Sequence, residues 1–157
     1  MYLNMHAQDF LNAFEVLRES NEAFMDRQSG DPSSFSTERV FGTHPTMAVA
    51  VVCLAFSVEL HLKDLHQTIS GEVPQGHKIL DLFTRLPDGA QEEIIRHPSI
   101  AQYGWDDSEF ETELRKISEG FVKWRYAYES TTLRYNIYFA KVLIEATSFV
   151  ASSKRGL

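Results

Sequence analysis

The chain has 157 residues, 43% of them hydrophobic and 24% charged, with a formal net charge of −7. That length is sufficient to bury one core, and the composition excludes an intrinsically disordered polypeptide. The acidic balance excludes a whole-surface electrostatic grip on nucleic acid, and a lone cysteine, Cys53, excludes an intrachain disulfide framework or a cysteine-based zinc site.

The N-terminal MYLNMHAQDF carries no basic region followed by an apolar stretch, so no signal peptide is expected. Residues 5–28 place Phe10, Phe14, Leu17 and Phe24 between charged positions, which predicts an amphipathic helix ended by the breaker cluster Gln28–Ser34. A loop to about Thr43 follows. Thr43 or His44 is placed to cap a second helix, with Pro45 near its first turn, where a missing N–H costs nothing. From Met47 through Val58 the only polar residue is Ser57. A helix apolar all round is buried all round, so the segment from about Pro45 to about Ile69 is predicted to be the central element of a bundle, with Gly71 ending it. The apolar run is too short for a bilayer, and a cytoplasmic location with no membrane partner is expected.

Beyond the Gly71–Gly76 turn, a short helix is predicted over His77–Leu86 and another from Asp88 to about His97, stopped by Pro98. Residues 98–106 read as a loop carrying Tyr103 and Trp105. Asp106 or Asp107 is placed to cap a further long helix. In it Phe110, Leu114, Ile117, Phe121, Trp124 and Tyr128 step by three and four, the strongest periodic signal in the chain. A last helix is predicted over about Thr132–Ser152 with Leu133, Ile137, Val142, Ile144 and Phe149, and residues 152–157 are expected to fray. No stretch alternates as a strand would. The fold class is therefore all-α, a four- to five-helix bundle with a short helical insert after the second helix, in one domain spanning 1–157. Eleven Phe, six Tyr and two Trp predict a core filled by rings.

Few motifs carry chemistry. Gly71-x4-Gly76-His77-Lys78 fails as a phosphate loop, because His77 stands where that loop needs Lys and a helix precedes it. His61, Asp64 and His66 cluster in sequence, but the two histidines lie about 140° apart around a helix, so a solvated helix end is expected rather than a metal site. Cys53, in an apolar run, reads as a small buried hydrophobe. No dinucleotide fingerprint or nucleophile elbow is present, and no cofactor is expected. What remains is a set of polar residues on faces that should be buried. Glu59 and Lys63 stand one turn apart on the central helix, and Arg125 and Glu129 one turn apart beside Trp124 and Tyr128. Two surface pairs, a packing network or a functional polar site all fit this pattern.

The runs Ala55–Leu65 (AFSVELHLKDL), Gly76–Phe83 (GHKILDLF) and Phe121–Glu129 (FVKWRYAYE) together resemble the HEPN (higher eukaryotes and prokaryotes nucleotide-binding) superfamily, over roughly residues 45–145. The resemblance implies a helical bundle, frequent homodimerisation, a nucleotidyltransferase-type partner protein, and RNA or nucleotide binding in prokaryotic toxin–antitoxin or defence settings. Active ribonucleases of that superfamily carry Arg followed by His four to six residues later. Here no His follows His97, and the only such pair is Arg39–His44, a spacing that a chain with this many Arg and His meets about once by chance. The resemblance therefore implies a divergent member that binds without cleaving, through Glu59, Lys63, His77, Trp124, Arg125, Tyr128 and Glu129. Two alternatives are a divergent metal-independent endoribonuclease or toxin, and a structural interaction module.

Overall fold

The computed structural model describes residues 2–29, 46–125 and 135–156, with side chains over 3–21, 48–119 and 135–156. Four long helices dominate these residues: α1 (Tyr2–Ser29), α2 (Thr46–Ser70), α6 (Asp107–Arg125) and α7 (Ile137–Arg155). Three short ones, α3 (Ile79–Thr84), α4 (Asp88–Ile95) and α5 (Pro98–Ala101), lie between α2 and α6. No strand occurs among the described residues, and none of their helices is long and apolar enough to cross a membrane.

α2 is the centre, as its composition requires. It packs against α1, α3, α6 and α7, and Val51, Leu54, Val58, Leu62 and Leu65 are each at most 1% exposed. Each such side chain contributes about 1.5–3 kcal/mol through the apolar area it removes from water. The approach of α1 to α2 is close because Ala7 and Ser57 are both small and fully buried, and the Ser57 hydroxyl donates to the Ala7 carbonyl at 2.9 Å. Phe14 fills the same interface, and Phe10 stacks on Phe56 at 5.2 Å. On α7 the buried face carries Phe139, Leu143, Ile144 and Val150 with Ala140, Ala146, Thr147 and Ala151. Phe149 lies off that face by helical register. It is exposed, with its ring against His97 at 4.9 Å.

The ring-filled core exists as a chain of contacts. Phe83 meets Phe110 at 5.3 Å, Phe110 meets Phe139 at 5.3 Å, and Trp105 lies edge-on to Phe139 at 5.2 Å, with Tyr103 stacked outside it. Helix ends follow local chemistry. Asp106 and Glu109 form a reciprocal capping box, each side chain accepting the other's backbone N–H at 2.8 and 3.0 Å. The Asn136 side chain caps α7 through the Phe139 N–H.

Two expectations fail here. Pro98 does not end in a loop but opens the one-turn α5, because Pro is well placed at a first helical position and His97 accepts the Ser99 N–H as its cap. Residues 152–155 do not fray. Lys154 pairs with Glu93, Arg155 with Asp64, and Gly156 closes α7 in a left-handed conformation at φ 76°.

Candidate functional site

The polar site begins with a helix spacing. Glu59 and Lys63 are four residues apart on α2, so they share a face, and Lys63 Nζ donates to Glu59 Oε1 at 2.8 Å. Both side chains are buried, at 4% and 11% exposure. The rest is built by a turn. After Ser70, Gly71 takes φ 78° and its N–H donates to Gln67 O, ending α2. Gly76 at φ 102° then redirects the chain, a conformation that side-chain-bearing residues rarely adopt. His77 is thereby brought back over α2, with Nδ1 2.9 Å from Glu59 Oε1. Just beyond, the Leu80 N–H donates to the Ser118 hydroxyl, which ties the start of α3 to α6.

Because the partner of His77 Nδ1 is a carboxylate oxygen, that nitrogen carries the proton and donates. The ring is 70% exposed, so Nε2 is turned toward solvent by a carboxylate that is itself inside the protein. Glu59 Oε1 accepts two donors. Glu59 Oε2 is buried and has no donor among the described residues. Burying a carboxylate costs several kcal/mol even when it is paired, and an acceptor oxygen left without a donor adds to that cost. Chemically, the corner offers an unused buried acceptor, an ammonium beside it, and an imidazole whose orientation is preset.

The sequence placed seven residues in this site, and three of them are brought together: Glu59, Lys63 and His77. Trp124 and Arg125 lie on the last turn of α6, with side chains outside the described residues, and Tyr128 and Glu129 lie outside them altogether, as do Arg39 and His44.

The cluster read as a solvated helix end is instead buried. His61, Asp64 and His66 are 3%, 4% and 8% exposed. The reason is that α2 is enclosed along its polar half as well, and each side chain has found a separate partner. His61 Nδ1 lies 2.8 Å from Ser57 O, Asp64 pairs with Arg155, and His66 Nε2 donates to Leu82 O at 2.8 Å, satisfying a carbonyl near the end of the short α3. They diverge, and among the described residues no group of three or more His, Cys, Asp or Glu side chains is placed to hold a metal ion. Burial pushes the His61 imidazole below its ordinary pKa, outweighing the opposing pull of Ser57 and Asp64. Cys53 is half-buried rather than buried, and that burial raises its thiol pKa, which disfavours the nucleophilic thiolate.

Comparison of the chain with profiles of known families, with curated proteins and with solved structures finds no match.

Proposed function

We propose that the protein is a HEPN-like helical binding module without ribonuclease activity, and that the Glu59–Lys63–His77 corner takes the ribose and phosphate of a nucleotide or an RNA end. The observation that carries this reading is Glu59, a buried carboxylate with one oxygen holding two donors and the other holding none among the described residues. Ribose hydroxyls and base amino groups are donors of the kind that Oε2 lacks. Lys63 supplies donors for a phosphate, and His77 adds its Nδ1–H once a ligand has displaced it from Glu59. Oε2 is closed to water, so a ligand reaches it by displacing His77, the exposed member of the three. The net charge of −7 favours a small ligand or a strand end over a long RNA tract. A second copy of the chain, a nucleotidyltransferase-type partner and a toxin–antitoxin or defence setting belong to the same reading and rest on the resemblance alone.

A second reading has its own observation. A buried carboxylate orienting an imidazole through Nδ1 is the arrangement of a general base, which supports a divergent metal-independent endoribonuclease built on Glu59 and His77.

Calorimetric titration of the full chain with AMP and with a short RNA oligonucleotide tests the first reading. Saturable binding is expected, weakened at least about tenfold in Glu59→Met/Lys63→Met. That double variant removes both charges, so its melting temperature is expected to stay within a few degrees of the parent, whereas Glu59→Gln strands Lys63 and costs about 3 kcal/mol. If neither ligand binds and only stability responds, the corner is a packing device and the binding reading is lost. RNA cleavage in the presence of EDTA that disappears in His77→Ala would establish the second reading instead.

A further inference from the structure

A second site lies on the other side of α2. His61 lines an open groove of about 460 Å³ between α1 and α7, walled by Leu11, Val142 and Tyr138 with Lys141 and Glu145 beside them. The volume falls within the usual range of small-molecule sites. His61 is only 3% exposed, and one of its ring nitrogens is unused among the described residues.

Hydrogen-bond accounting fixes which one. The Ser57 hydroxyl has a single proton, and it is donated to Ala7 O at 2.9 Å. Ser57 O, 2.8 Å from His61 Nδ1, is a carbonyl and only accepts, and Ser57 Oγ at 3.3 Å has only lone pairs left. Nδ1 therefore bears the proton. In the neutral ring Nε2 is then a bare acceptor, and it has no hydrogen-bond partner among the described residues. Burial, which disfavours the imidazolium, keeps the ring in that form.

The walls select the ligand. Lys141 is held by Glu15 at 2.6 Å, and Glu145 is exposed nearby, so the rim offers no net positive charge to an anion. Tyr138 is 75% exposed and presents a ring at the edge of an apolar wall. We infer that this groove binds a neutral aromatic or heteroaromatic ring carrying one N–H or O–H donor, with the donor on His61 Nε2 and the ring face against Tyr138, Leu11 and Val142. The inference does not depend on the Glu59 corner, because His61 and Glu59 project from opposite sides of α2.

Indole and 1-methylindole form a matched pair of probes, since only the first has an N–H. In the uniformly ¹⁵N-labelled full chain, long-range proton–nitrogen spectra are expected to show His61 as the Nδ1–H tautomer. Indole is expected to shift His61 Nε2 and the amides of Leu11, Tyr138 and Val142, and to bind about tenfold more tightly than 1-methylindole. Tyr138→Ala, at an exposed position that leaves folding intact, is expected to weaken indole severalfold with no change in melting temperature. Equal affinity for the two probes, shifts that map elsewhere, no binding at the solubility limit of indole, or a proton on Nε2 would each overturn the inference.

Discussion

The Tyr135 hydroxyl is buried with no hydrogen-bond partner among the described residues, and burial pushes its pKa upward, so it stays protonated. A buried hydroxyl without a partner costs about 1–3 kcal/mol. Tyr135→Phe removes that cost while keeping the ring, so the variant is expected to be as stable as the parent or up to about 1 kcal/mol more stable, as read by chemical denaturation. A clear loss of stability would mean that the hydroxyl is serving a partner in solution. Glu59 Oε2 has the same unpaired state but a different setting. It sits beside an ammonium and an exposed imidazole, where the proposed ligand would donate to it, whereas Tyr135 lies against the core.

At the scale of elements, the end of α7 separates two kinds of ion pair that look alike in sequence. Lys154–Glu93 joins two side chains that are 40% and 44% exposed, and pairs of that kind contribute at most about 1 kcal/mol. Arg155 reaches Asp64, whose side chain is 5% exposed, and also donates to Thr68 at 3.0 Å. Removing Arg155 leaves a buried carboxylate without its counter-charge, which costs several kcal/mol when burial is complete and somewhat less here, where the Arg is partly solvated. Arg155→Ala is expected to lower the melting temperature by roughly 5–10 °C, and Lys154→Ala by less than about 3 °C. Similar small losses in both variants would mean that Asp64 is not sealed in solution. The same contrast explains why residues 152–155 were expected to fray: nothing local in Ser-Ser-Lys-Arg signals that Asp64, 91 positions earlier, is waiting for the guanidinium.

For the whole molecule, acid should be destabilising through three described groups acting in one direction. Burial pushes His61 below its ordinary value. Burial pushes Glu15 and Glu113 up, but Lys141 and Arg18 for the first, and Lys116 and Asn136 for the second, outweigh it and hold both carboxyls low. In each case the unfolded chain binds a proton at a pH where the folded one does not, so protonation favours unfolding. His61 contributes its stability in full above the ordinary imidazole value of about 6.5 and loses it as pH falls below that, while the carboxylates lose theirs only below about 4.5. The urea midpoint is expected to be flat between about pH 8 and 7 and to decline from about 6.5 to 5.5, with His61→Gln reducing the decline over that upper window. An unchanged decline in the variant would assign the acid sensitivity to other groups.

Features that depend on neighbours three or four residues away are legible in the residue order. The apolar run of α2, broken only by Ser57, the three-and-four spacing of Phe110, Leu114 and Ile117, a cap at Asp106 or Asp107 and the Glu59–Lys63 pair are all local, because helical geometry fixes which residues share a face before any tertiary contact forms. The tertiary structure alone decided the rest. Glu59 meets His77 across 18 residues only because two glycines in the left-handed region return the chain, Asp64 meets Arg155 only because α7 lies along α2, and His61 lines a groove only because α1 and α7 flank it. The polar half of α2 illustrates the division. His61, Asp64 and His66 promised exposure, but enclosure of α2 by four other helices buried them, and burial is a property of the assembled fold that no residue specifies alone.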